Sequence, residues 1–238
     1  MVKYSGAVCV GMAGRKTIQS TAKVVHFQSE QLFYLKQKLV YFGSEWLVQY
    51  ASEWVVYYGS EYPEFPIFIK NLHKTSYIGE VGMDFSREGI STKEVQLNSF
   101  SRILDEIKEK KKILSIHSRR AEREIINLLI EKQILAGIFH WYSGPLRLID
   151  KIGQAGFYFS VNPMMTRSLS GKSIIGRIPR EKILSETDGP FTSINGLVLK
   201  PKDCIKVIDY LSEIWQINAS AVESQLQENF KKLLSLIA

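Results

Sequence analysis

Four polar residues stand at or just past the C-terminal ends of four apolar stretches: Glu80 in IGEVGMDF, His117 in LSIHSRR, His140 in FHWYSG and Asp188 in SETDGPF. Two imidazoles and two carboxylates meeting in one place make a site for a hard or borderline divalent cation such as Zn²⁺, Mg²⁺ or Mn²⁺. Such an ion lowers the pKa of a bound water and neutralises phosphoryl oxygens, and a neighbouring carboxylate can take the proton: metal-assisted hydrolysis. Each residue alone has a duller explanation. A strand-end His can serve as a hydrogen-bonded structural residue, and Glu80 can pair with an Arg. The conjunction is harder to explain without an ion, because each placement would put an unpaired polar group inside an apolar strand, where it is costly.

The elements that must position these four residues are short β-branched runs alternating with longer segments of helical period, the pattern of βα units around a parallel sheet. Seven strands are predicted: Gly6–Met12, Lys38–Gly43, Ser76–Met83, Lys112–His117, Ala136–His140, Gly156–Val161 and Lys182–Thr187. Helices are predicted at Thr17–Lys36, Thr92–Lys110, Arg119–Lys132, Pro145–Gly153, Leu169–Arg177, Lys202–Trp215 and Ala219–Ile237. In a β/α barrel the strand C-terminal ends share one mouth, so Glu80, His117, His140 and Asp188 are expected to face a common cavity. Ser91-Thr92-Lys93-Glu94 has the form of a capping box, Pro145 suits a first helical position, and Gly153 and Gly156 suit a stop. The aromatic-rich segment from Glu45 to Leu72, with Pro63 and Pro66, has no readable period; its echo of FGSEW in YGSEY is too short to mark a repeat.

The chain has 238 residues, 45% hydrophobic and 23% charged, enough for one sizeable core and against disorder. No linker splits it, so a single domain over residues 1–238 is expected. The length is short for a complete eight-stranded barrel, which typically needs about 250 residues. The net charge of +7 favours an anionic partner, nucleic acid first, or merely keeps the protein soluble. The basic run Lys108–Lys112 either ends a helix, where cations suit the dipole, or adds to a nucleic-acid patch. The two cysteines, Cys9 and Cys204, indicate neither a disulfide framework nor a thiolate metal site. No apolar run is long enough to span a bilayer and no secretory signal is evident, so a cytoplasmic protein that binds no membrane is expected.

IGEVGMDFS, ILSIHSRRA, FHWYSG, GFYFSVNPMM and ILSETDGPF occur in the order and spacing of TatD-like DNases, which the chain resembles from about Tyr77 to its C-terminus. It is similar in particular to the divergent TatD-like subunit of bacterial anti-phage defence operons of the Qat type. The resemblance implies a TIM-type β/α barrel and a metal-dependent hydrolase cleaving phosphodiester bonds in DNA. It further implies that Glu80, His117 and His140 are metal ligands, with Glu80 bridging, and that Asp188 touches both metal and attacking water. Arg119 and Arg120, one turn from His117, either clamp phosphate or make surface ion pairs. Trp141 either stacks on a base or packs in the core. Asp84 can orient a metal-ligating His.

The departures are as informative. The family's His-x-His pair of the first strand occurs nowhere, and Glu45 stands where a His is usual after the third strand. The chain is therefore expected to open just before the family's second strand, with seven strands and one metal site rather than two. The edges of the second and eighth strands would then need covering, by partner subunits for example. Three readings follow: a DNase; a weakly active or inactive docking subunit of a larger defence complex; and a hydrolase of another bond, since the barrel alone does not fix the substrate.

Overall fold

In a computed structural model the structure describes residues 64–189 and 191–238, preceded by three strand pieces, β1 (Val8–Cys9), β2 (Val40–Phe42) and β3 (Glu45–Leu47). Helix α1 (Glu64–Asn71) leads into β4 (Tyr77–Gly82), followed by α2 (Lys93–Ile107), β5 (Ile113–His117), α3 (Glu122–Glu131) and β6 (Gly137–Phe139). Then come α4 (Leu146–Gln154), β7 (Tyr158–Val161), α5 (Leu169–Arg177) and β8 (Ile183–Glu186). A small hairpin, β9 (Ser193–Ile194) and β10 (Leu197–Val198), turns on Asn195-Gly196, both at positive φ as a tight two-residue turn requires. Helices α6 (Ile205–Trp215) and α7 (Ala219–Ser235) complete the chain.

The sheet order is β1-β8-β7-β6-β5-β4, with β4 to β8 parallel throughout. Each parallel strand pairs with its neighbours in sequence across an intervening helix, the winding of a β/α barrel rather than of a doubly wound sheet. Burial on both faces explains why these strands read as continuous apolar runs. On one side of the sheet, Phe139 packs edge-on against Tyr142 and Phe157 at ring separations of 6.2 and 6.0 Å, within a core that includes Ile116, Ile125 and Val161. A second cluster joins Tyr77, Ile113, Ile138, Tyr158 and Leu184 to Leu233 of α7. Among the described residues no helix is long and apolar enough to cross a membrane.

Five of the seven predicted strands form as expected; the other two differ. Of Gly6–Met12 the structure describes β1, which joins the sheet antiparallel to β8, Val8 opposite Glu186. Of Lys38–Gly43 it describes β2, which pairs antiparallel with β3. The reason is local: two β-prone triplets separated only by Gly43-Ser44 can reach each other as a hairpin, whereas parallel pairing needs a crossover of a dozen residues or more. The predicted helix Thr17–Lys36 lies outside the described residues.

Helix α1 was not foreseen, because Pro66 reads as a breaker; here it falls in the first turn, where its missing N–H costs nothing. The predicted capping box does not form. Residues Ile90–Thr92 make a 3₁₀ turn that runs into α2, and the Thr92 hydroxyl donates back to the Gly89 carbonyl. Pro145 sits one position early, before the first helical residue Leu146.

Helix α7 is tied down by the buried Asn229, whose amide donates to the Arg180 and Ile183 carbonyls at the entrance to β8, and by Asn218, whose side chain accepts the Ala221 N–H at 2.8 Å. Asn218→Ala removes that cap and is expected to cost about 1 kcal/mol, lowering the thermal midpoint by roughly 2–4 °C in a calorimetric scan. An unchanged midpoint would mean that packing alone fixes the helix start.

Candidate metal centre

Two glycines place Glu80 beside His117. Within β4 the register against β5 slips by one residue between Ile78 and Val81, the span that contains Gly79 and Glu80. A Cβ on Gly79 would stand 2.5 Å from the Ser115 Cβ, and one on Gly82 only 1.9 Å from the His117 carbonyl oxygen. The motif GEVG is therefore the sequence form of a close approach between two strand backbones. It leaves the Glu80 carboxylate 1% exposed, with Oε1 2.9 Å from His117 Nδ1 and 3.7 Å from His140 Nε2. His140 Nε2 is also 3.4 Å from Asp188 Oδ1, a buried oxygen that accepts no hydrogen bond. The structure thus brings Glu80, His117, His140 and Asp188 together at one end of the sheet.

The far nitrogen of each ring meets a separate carboxylate. His117 Nε2 lies 3.3 Å from Asp84 Oδ2, and His140 Nδ1 lies 2.5 Å from Glu186 Oε2. Asp84 is held in turn: Gln96, fully buried on α2, accepts the Asp84 N–H and donates to the Asp84 and Gly89 carbonyls. Burial alone would raise the Asp84 pKa, but hydrogen bonds from His117 and Ser86 outweigh it and lower it to about 2. Burial likewise pulls the His140 imidazole down, yet Glu186, Glu80 and Asp188 around it prevail and leave its pKa well above the ordinary value.

Backbone strain is gathered at the same rim. Arg120, Trp141 and Asp188 adopt φ of 59°, 38° and 52°, each just past the end of a strand that carries part of the cluster. Positive φ is uncommon outside glycine and costs most for a bulky residue such as Trp, so the surrounding contacts must over-determine it. Arg119 sits 3.8 Å from Asp84 and 3.5 Å from Glu88. Arg120 is exposed, its N–H bound to the buried Glu122. Trp141 is 37% exposed at this rim.

Sequence reasoning missed Glu186, although it sits in SETDGPF two positions before Asp188. The available signal was an acidic residue as the last member of an otherwise apolar strand. Among the described residues no group of three or more His, Cys, Asp or Glu side chains stands ready to hold a metal ion, since the rings and carboxylates hydrogen-bond one another directly. The donor chemistry nevertheless fits one. Asp188 Oδ1 is buried without a hydrogen bond, and both imidazoles have a carboxylate behind the nitrogen that faces away from Glu80, the arrangement that orients metal-binding histidines.

A parallel sheet wound in sequence order, with imidazoles and carboxylates on one rim, is the arrangement of a β/α barrel. The chain belongs to the family of TatD-related DNases, whose model matches residues 59–235. It is 29% identical over 160 residues to an uncharacterized metal-dependent hydrolase of Methanocaldococcus jannaschii, covering 67% of this chain and 62% of that one. It is 30% identical over 147 residues to the human deoxyribonuclease TATDN3, covering 60% and 49%. Among solved structures it is similar to the TatD homologue YJJV of Escherichia coli, with a TM-score of 0.62, 22% identity and coverage of 71% and 67%. A TatD-family hydrolase of Entamoeba histolytica gives a TM-score of 0.61 at 22% identity, over 71% and 66%. The chain spans about three fifths of the length of the curated relatives it matches.

Proposed function

We propose that this protein is a divalent-metal-dependent phosphodiesterase acting on DNA. The observation that carries the reading is the convergence of Glu80, His117, His140 and Asp188, with each imidazole backed by its own carboxylate. Glu80, His117 and His140 are the residues to hold the ion, with Asp188 beside them. A bound Zn²⁺, Mg²⁺ or Mn²⁺ supplies Lewis acidity and a water of lowered pKa. Asp188 then accepts the proton of the attacking water, and Glu80 holds the two histidines in register. Arg119 exchanges its ion pairs with Asp84 and Glu88 for a phosphate oxygen, Arg120 reaches the next phosphate, and Trp141 stacks on a base. The net charge of +7 and the deoxyribonuclease name borne by the human relative support DNA as the substrate.

The test is cleavage of a labelled DNA by the purified chain in excess Mg²⁺ or Mn²⁺. Slow cleavage is expected, abolished by EDTA and by His140→Ala, which rules out trace host nuclease. Equal cleavage by wild type and His140→Ala would overturn the reading. One observation favours a second reading, a docking subunit within an anti-phage assembly: the family's His-x-His pair occurs nowhere in this sequence. Absence of any ion-dependent cleavage, with retention by a co-expressed partner, is the outcome that selects it.

A further inference from the structure

Glu186, 1% exposed at the end of β8, collects four hydrogen bonds, one from β7 and three from the residues just past β6 and β7. Its Oε2 takes His140 Nδ1 and the Ser160 hydroxyl, the latter at 2.7 Å; its Oε1 takes the Trp141 N–H at 3.0 Å and the Asn162 amide at 3.4 Å. The Asn162 amide cannot turn round, because its oxygen is fixed by the Met164 and Met165 N–H groups. Both oxygens of Glu186 therefore face donors. Nδ1 of His140, opposite an oxygen that can only accept, carries a hydrogen, and Nε2 is the nitrogen that faces Glu80 and Asp188.

We propose that Glu186 is a positioning residue that fixes two things at once: which nitrogen of His140 faces the ion site, and where Trp141 stands at the rim. The second follows because the Trp141 backbone, at φ 38°, is held in that costly conformation by its N–H bond to the same carboxylate. A glutamine cannot substitute. Its NH₂ would face either the His140–Ser160 pair or the Trp141–Asn162 pair, donor against donor. The proposal rests on the ion-binding role given to His140 above, and its test separates the two.

The experiment uses the full chain as wild type, Glu186→Gln, Glu186→Asp and Ser160→Ala. Ring ¹H–¹⁵N correlations and amide exchange of the metal-free protein report on His140 Nδ1–H and the Trp141 N–H, and calorimetric titration with Mn²⁺ reports on affinity. Wild type is expected to show a proton on Nδ1 and a slowly exchanging Trp141 amide. Glu186→Gln is expected to lose both and to bind Mn²⁺ roughly 10–100-fold more weakly, the usual effect of removing an outer carboxylate. Glu186→Asp is expected to keep the Nδ1 proton in part. Ser160→Ala, which removes an equally buried bond to Glu186 without touching the histidine, is expected to keep both signals and bind Mn²⁺ within about threefold of wild type.

An unprotonated Nδ1 in wild type, or equal losses in Glu186→Gln and Ser160→Ala, overturns the proposal. If Glu186→Gln does not fold, the wild-type and Glu186→Asp spectra decide. If wild type binds no Mn²⁺, the ion-site reading falls while the ring and amide signals still judge Glu186.

Discussion

Replacing Asp188 by asparagine is expected to lower the rate of DNA cleavage by roughly 10²–10⁴ while leaving the thermal midpoint almost unchanged, within about 3 °C. The two halves of this result have separate origins. Asparagine has the same shape, and it tolerates positive φ better than most residues, so the φ of 52° at this position is no obstacle. Asp188 Oδ1 is buried with no hydrogen bond, so what removing its charge takes from the fold is its 3.4 Å approach to His140 Nε2. What is lost is a proton acceptor facing the reaction centre, which general-base catalysis values at two to four powers of ten. The loss should fall mainly on kcat, because the part this reading gives Asp188 in the chemistry is to take the proton of the attacking water. An unchanged kcat would remove Asp188 from the chemistry; a collapse of the midpoint would make it a structural residue.

The largest effect on stability is expected from Gly82→Ala. The added Cβ would lie 1.9 Å from the His117 carbonyl oxygen, on a backbone at φ 151°. Neither partner can yield, since the obstacle is main chain in a paired strand, and Gly82 and His117 are register partners. Local strain and overpacking together should cost about 3 kcal/mol or more, a fall of roughly 6–12 °C in the midpoint. The same shift pushes His117 away from Glu80, so ion affinity should fall with stability. The contrast with Asn218→Ala is informative, because that change acts on a distant helix end and should leave ion binding untouched. A Gly82→Ala protein as stable as wild type would show that β4 and β5 can separate freely, and would undermine the geometry given for Glu80.

The sequence reveals most where one physical cause dominates. Strands β4 to β8 are buried on both faces, so each had to be an apolar run, and their predicted limits lie within two residues of those observed at each end. The four polar intruders at their ends were legible for the same reason, since nothing in an apolar strand masks them. Legibility stops where several causes compete. Pro66 breaks a helix in one position and suits it in another, and composition does not say which applies to α1. Direction of pairing was unreadable for β1 and β2, because so few residues carry no signal beyond β-propensity. Glu186 was hidden by its company: between Ser185 and Thr187 in a motif already noted for Asp188, its role depends on donors from β7 and from just past β6 that no local pattern announces.

The winding of the sheet has a kinetic corollary. Because each parallel strand pairs with the next one in sequence, every closure within the parallel arc spans a single βα unit, and the entropy lost per step stays small. Relative contact order is kept low for a parallel sheet, so the arc can grow one unit at a time from any nucleus. The reacting groups obey a different timetable. Glu80 belongs to the first of the five parallel strands and Asp188 follows the last, with His117 on β5 and His140 just past β6 between them. No shorter part of the arc holds all four, so a partly folded chain carries only part of the cluster, and the candidate site is complete only with the last strand.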